Sequence, residues 1–171
     1  MAESLIRSAT EADATALLAI YRPFVESTAV SFETIVPTVE EFAERIAKAL
    51  GGWQWLVAIR DGQCAGYAYG STHRERSAYR WSVEVSAYVR SDFRRQGIGR
   101  ALYLKLFDEL AGRGFCNAYA GITLPNEASI ALHRGVGFEP VGVFRDVGRK
   151  FGQWHDVGWF QRTLRDAPPS E

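Results

Sequence analysis

No stretch of this chain approaches the roughly 20 consecutive apolar residues that a membrane-spanning helix requires, and the N-terminal MAESLIRS has no apolar core of a secretory leader. A soluble, cytoplasmic protein is the expectation. Charge of one sign is lacking too. Twenty basic residues balance 20 acidic ones, so no general attraction to nucleic acid or to a membrane surface is expected. Cysteine is scarce: Cys64 and Cys116 form no CxxC pair and lie in apolar, strand-like segments, which fits buried thiols in a reducing compartment. The three histidines, His73, His133 and His155, lack metal-ligand spacing, so no metal is expected. There is no internal repeat, linker or low-complexity block, and 171 residues suit one domain that buries a real core.

What is present alternates between helical and strand periods. Leu5-Ile6-Arg7 reads as a short strand, and Thr10-Glu11-Ala12-Asp13 opens a helix with Ala14, Leu17, Leu18, Tyr21 and Val25 as its stripe. Pro23 should kink or end that helix near residue 22, leaving Val30 to Glu33 as loop or short extended chain. A second helix follows Thr38, with Phe42, Ile46, Ala49 and Leu50 on one face and Gly51-Gly52 as its stop. Trp53 to Arg60 and Cys64 to Ser71 are strand-like runs joined by Asp61-Gly62, a hairpin signal. A helix spans Arg100 to Leu110, Phe115 to Ile122 is the next strand, and Asn126 caps a short helix ended by Gly137-Phe138. Val141 to Phe144 and Val157 to Leu164 form a closing hairpin whose long connection holds Gly148, Gly152, Trp154 and His155. Residues 1–164 then make one domain, and 165–171, with little apolar content, a disordered tail. The order is that of an α/β protein with a mixed sheet and helices on both faces.

The most informative stretch is Trp81 to Gly99, WSVEVSAYVRSDFRRQGIG. Trp81, Val83, Val85, Ala87 and Val89 alternate with Ser82, Glu84, Ser86 and Tyr88, so a strand here turns Glu84 away from the packed side. Arg94 to Gly99 then forms a basic, glycine-spaced turn at a helix N-terminus, where free N–H groups and the dipole favour a phosphate. A P-loop is excluded because Arg100-Ala101 stands where Lys-Ser/Thr is needed. A dinucleotide fingerprint is weak, since position 102 is leucine and Gly121-Ile122-Thr123 provides no carboxylate.

The remaining pattern, Arg/Gln-x-x-Gly-x-Gly/Ala, is matched by Arg94, Gly97 and Gly99 and resembles the coenzyme A pyrophosphate loop of the GCN5-related N-acetyltransferase (GNAT) superfamily. Five dispersed blocks are similar to its phosphinothricin and methionine sulfoximine N-acetyltransferase branch: YRPFV (21–25), VSFE (30–33), AYRW (78–81), LPN (124–126) and GQWHDVG (152–158). The resemblance implies a GNAT fold with a mostly antiparallel sheet of about seven strands. It also implies acetyl-CoA as cosubstrate, with contacts from Ala87, Tyr88, Val89, Arg94, Arg95, Gln96, Gly97, Ile98, Gly99, Arg100 and Asn126. A small anionic amino-acid-like acceptor would lie against Phe32, Arg74, Glu75, Arg76, Glu84, Val85 and Ser86, in a homodimer.

Amine attack on a thioester needs a base, and Glu84 is the candidate; a surface glutamate paired with an arginine is the other reading. Where many superfamily members have a tyrosine that protonates the departing thiolate, this chain has His133, which could serve as that acid or merely cap or pack the helix. Tyr88 shares Glu84's face and is a further candidate. Guanidinium groups of Arg74 and Arg76 suit a carboxylate or phosphinate, whereas Arg80 is as readily a solvated loop charge. His155 and Asp156 match the branch but suggest a structural role. Acetylation of a protein N-terminus or lysine, and a non-catalytic acyl-CoA sensor, remain as alternatives.

Overall fold

A computed structural model describes residues 4–169. Seven strands form one sheet in the order β1-β2-β3-β4-β5-β7-β6. They are β1 (Leu5–Ser8), β2 (Trp55–Arg60), β3 (Gln63–Thr72), β4 (Ser82–Val89), β5 (Asn117–Thr123), β6 (Glu139–Lys150) and β7 (Gln153–Thr163). Four helices complete it: α1 (Ala14–Ser27), α2 (Val39–Gly52), α3 (Ile98–Gly112) and α4 (Glu127–Gly135). Only β4 and β5 run parallel; every other neighbouring pair is antiparallel. The expected mixed, mostly antiparallel sheet is what forms.

Strand alternation divides the core in two. Leu56, Ala58, Val83, Val85 and Ile122 point to one face and pack under Leu102, Leu106 and Leu110 of α3. Trp55, Val57 and Tyr67 point to the other and pack under Leu17, Tyr21 and Val25 of α1 and Phe42 and Ile46 of α2. Burying these stripes, at roughly 25 cal/mol per Å² of apolar surface, is what holds helices on both faces. Local signals set the ends. Thr38 and Glu41 form the reciprocal cap of α2, and Asp61 and Gly62, both with positive φ, turn β2 into β3.

Two expectations change. The α1 helix does not stop before Pro23 but runs on to Ser27. Pro23 sits on the exposed side, where the carbonyl its missing N–H would have served faces water, while Val25 in the following turn is buried. Next, the supposed long connection in the last hairpin is itself strand. β6 continues to Lys150 through an irregularity between Phe144 and Gly148, and the turn is only Phe151-Gly152. The Asp156 carboxylate accepts from the Asp146 N–H at 2.8 Å, satisfying the backbone at that bulge. After β7, Arg165 Nη1 donates to the Ala111 carbonyl of α3 at 3.2 Å. Ser170 and Glu171 lie outside the described residues.

An exposed mid-helix proline leaves one helical bond unmade. Pro23→Ala should therefore raise the unfolding free energy by about 1–2 kcal/mol, once the looser unfolded chain is offset against it. Urea denaturation checks this, and an unchanged or lowered midpoint would show that the kink itself is needed.

Candidate active site

The site begins where two strands part. β4 pairs with β5 only at Ser82, Val83 and Glu84, whereas its pairing with β3 continues to Val89 and that of β5 with β7 continues to Thr123. Beyond Glu84 the sheet is thus forked. Arg90 N–H donates to the Ala65 carbonyl of β3 at 2.9 Å. Antiparallel residues alternate in direction, so the peptide groups of Tyr88 and Ser86 also turn to β3, and those of Ala87 and Val89 turn into the fork. This corrects the expectation for Tyr88, whose own N–H belongs to the sheet.

Glu84 stands at the apex of the fork and faces a cleft of ≈ 350 Å³. Its floor is Val85, Ser86 and Gly121, and its walls include Ser31 and Phe32 from the α1–α2 loop, Phe144 and Val147 from β6, and Trp159 from β7. Burial raises the Glu84 pKa above the ordinary carboxylate value; a hydrogen bond from His73 and the Arg74 charge pull it the other way. His73 Nδ1 lies 3.0 Å from Glu84 Oε1, and Arg74 Nη1 lies 3.6 Å from the same oxygen. Arg74 also spreads over the Trp159 ring, 5.9 Å from its centroid. Glu75 and Arg76 are exposed and line none of the described cavities around Glu84. Of the expected acceptor arginines, the fold brings only Arg74 to the carboxylate. His73 had no sequence signal beyond standing next to Arg74.

Phe32 is held by a chain of polar contacts. Tyr21 Oη is 2.6 Å from Ser31 Oγ and donates to Glu33, Arg45 binds Glu33 through both nitrogens, and Lys150 Nζ donates to the Ser31 carbonyl at 2.7 Å. The Phe32 ring lies over Gly148, where any Cβ would overlap it. His155 and Asp156 stay out of the cleft chemistry: His155 donates from Nε2 to the Lys150 carbonyl at 3.3 Å.

On the fork's far side lie Tyr103, Asn126, Ser129 and His133. The Asn126 side chain accepts from Ser129 N–H at 3.1 Å and caps α4. His133 is buried. Its Nδ1 is 2.7 Å from the Ser129 carbonyl, which can only accept, so Nδ1 carries the proton and Nε2 accepts from Tyr103 Oη at 3.0 Å. Burial lowers its pKa and keeps it neutral. Both nitrogens are engaged, which removes His133 as the direct proton donor. Tyr88, packed edge-on against Tyr21 and Phe24, lines both cleft and fork, and burial raises its pKa well above the usual phenol value. It keeps its proton.

The basic turn lies at the fork's open end. Gly97 has φ 79° and caps α3; the first helical bond runs from Ala101 N–H to the Gly97 carbonyl at 3.0 Å, so the amides of Ile98, Gly99 and Arg100 lie outside the helical ladder. Arg95 also has positive φ. Gln96 is tied down by Arg60 at 2.8 Å and by the Asp92 carbonyl at 3.1 Å, and Arg94 lies over Phe24. Gly99 differs from the sequence expectation: it is buried, and a Cβ there would sit 3.1 Å from Leu132 of α4. Its smallness lets α4 pack closely.

Comparison with known proteins places these features. A family model described as the acetyltransferase (GNAT) domain matches residues 6–159. The chain is 38% identical to phosphinothricin N-acetyltransferase of Streptomyces viridochromogenes, over 96% of this chain and 90% of that one. It is 39% identical to the L-methionine sulfoximine/L-methionine sulfone acetyltransferase of Pseudomonas paraeruginosa, covering 95% and 98%. A solved phosphinothricin acetyltransferase from Sinorhizobium meliloti in complex with AcCoA superposes with a TM-score of 0.92 at 36% identity, over 98% of this chain and 92% of that one.

The neutral, buried His133 has a consequence for stability. Its folded pKa lies below the unfolded value of 6.5, so it contributes stability above that pH and loses it as pH falls from 6.5 toward the folded pKa. His133→Gln, which cannot titrate, should lose less stability than the wild type between pH 7.5 and 5. Parallel declines in urea melts at the two pH values would show that His133 does not resist protonation.

Proposed function

The chain belongs to the GNAT acetyltransferase family, and from that premise we propose that it transfers the acetyl group of acetyl-CoA to the amino group of a small amino-acid analogue with an anionic or tetrahedral head. Phosphinothricin, methionine sulfoximine and methionine sulfone are the acceptors of this class. The observation that carries the reading is Glu84: a half-buried carboxylate at the apex of the forked strands, facing an open cleft with Arg74 beside it.

In this reading the helix amides after Gly97, with Arg94, Arg95 and Arg100, hold the pyrophosphate, and the pantetheine arm lies in the fork against the peptide groups of Ala87 and Val89. The thioester then meets the cleft where Glu84 stands. The amine attacks the acetyl carbon, its surplus proton passes to the Glu84 carboxylate, and the carbon–sulfur bond breaks. Fork-facing N–H groups stabilise the carbonyl oxygen as it gains charge. Tyr88, which keeps its proton, supports protonation of the departing thiolate. Arg74 pairs with the acceptor's anionic head, and the walls of Phe32, Phe144 and Trp159 favour a compact side chain over an open polypeptide.

The reading extends to a second copy. Val141, Val143, Phe144, Val147, Phe151 and Trp154 are exposed along the β6–β7 hairpin at the sheet's edge. Phe144 and Val147 also line the cleft. We expect a homodimer that covers this surface and completes the outer cleft wall.

Mass spectrometry of products after incubation with acetyl-CoA and a panel of amino acids, their sulfone, sulfoximine and phosphinate analogues, and peptides tests the reading. One acetyl group added to the analogues is expected; transfer to peptides alone would favour a protein N-terminus or lysine, and no transfer a sensor. Glu84→Gln keeps size but not basicity, so turnover should fall by about 10²- to 10⁴-fold and the acidic limb of the pH profile should vanish, with acetyl-CoA affinity unchanged. Near-normal turnover at pH 7 would remove Glu84 as the base. Arg74→Ala should raise KM for the anionic acceptor about 10-fold or more while leaving acetyl-CoA binding intact. Equal losses for both substrates would point to damaged folding.

A further inference from the structure

Two groups reach the Glu84 carboxylate, and both reach the same oxygen. His73 Nδ1 lies 3.0 Å and Arg74 Nη1 3.6 Å from Oε1, and no hydrogen bond to Oε2 is found among the described residues. The two groups differ in how firmly they are held. The Arg74 side chain is about half exposed (49%), at the end of a long flexible stem. The His73 side chain is 13% exposed and enclosed by rings: it stacks on Tyr119 at 4.4 Å and 13°, with Tyr79 edge-on at 5.7 Å and Trp159 at 6.5 Å. A stacked imidazole has one orientation in which to offer its nitrogen. Since an ionised carboxylate can only accept, Nδ1 is the protonated nitrogen.

We infer that His73 is the positioning residue of the catalytic base: fixed by its stack on Tyr119, it pins Glu84 Oε1 and turns Oε2 toward the acceptor's amine. This rests on the reading of Glu84 as the base. His73 takes no proton from the acceptor; the proton goes to Oε2 and leaves to solvent as product departs. A second effect accompanies the first. Burial makes the charged carboxylate costly, and the Nδ1–H bond stabilises that charged form, so His73 favours the ionised state of Glu84. The other titratable groups facing the pair are Arg74 and Tyr79 on the connection, Tyr69 on β3 and Tyr119 on β5.

The test compares His73→Asn, whose side-chain N–H can replace Nδ1–H, with His73→Phe, which keeps the stack without the donor. His73→Leu, of the same shape as the Asn variant, serves if the Phe variant fails to fold. The measurement is kcat/KM for the best acceptor against pH at saturating acetyl-CoA, alongside Glu84→Gln. In the wild type the acidic limb belongs to Glu84. The Asn variant should keep a limb close to the wild-type position. Loss of a hydrogen bond to a charged group should move the limb of the Phe or Leu variant upward by about one to two pH units, so that rates fall most at pH 6 and recover toward pH 9. A merely structural role would lower the rate equally at every pH. Limbs of the Phe and Leu variants that coincide with the wild type, or an Asn variant shifted as far as they are, would overturn the inference while Glu84→Gln still abolishes the limb. A limb that survives in Glu84→Gln would instead overturn the reading of Glu84 on which the inference rests.

Discussion

The separation of β4 from β5 after Glu84 is the constraint on which the rest of the site depends. A parallel pair that stayed hydrogen-bonded to its ends would satisfy the peptide groups of Ala87 and Val89 within the sheet and leave nothing to pass between the two faces. Because the pairing stops after three residues, one strand edge is left inside a sheet that is otherwise continuous on both sides, through β3 and through β7. The same break places Glu84, the last paired residue, beside open space while its backbone remains held.

The cleft beside that break is assembled from distant parts of the chain, and polar contacts rather than packing align them. Lys150, at the far end of β6, bonds the carbonyl of Ser31, and Tyr21 and Arg45 hold Glu33 two residues on. The Arg45–Glu33 pair is partly exposed, so its contribution to stability is small, about 1 kcal/mol or less. Its effect is geometric: with the residues on either side of it tied, Phe32 is set against Gly148 and forms a wall. Hence a residue without a side chain on β6 and a ring on the α1–α2 loop are one structural unit.

Periodicity made most of the fold legible. The stripes of α2 and α3, the Asp61-Gly62 turn and the alternation around Glu84 are local patterns, and local patterns survive into the structure because the faces they define are the ones buried. Pro23 was misleading because the cost of a proline depends on which side of the helix it occupies and on whether the next turn, here with Val25, has a core to pack into. The extent of β6 was missed for a similar reason: strand pairing tolerates the irregularity near Asp146 once Asp156 satisfies the backbone there.

For the site, the sequence by itself determined the groups available: a glutamate on the outward face of a strand, arginines just before it, and a glycine-spaced turn at a helix start. Their chemistry is carried by side-chain type and by spacing within one element, which a linear pattern preserves. Only the tertiary structure decided which of them meet. Arg74 reaches Glu84 and Arg76 does not, the missing side chain of Gly99 would meet Leu132, and His133 spends both nitrogens on Tyr103 and Ser129. His73 comes to the carboxylate because β3 and β4 pair with Ser71 opposite Glu84. That register closes the polar connection between the strands, residues 73–81, and it is set by burial on both faces of the sheet, a property of the whole core that no short stretch of residues contains.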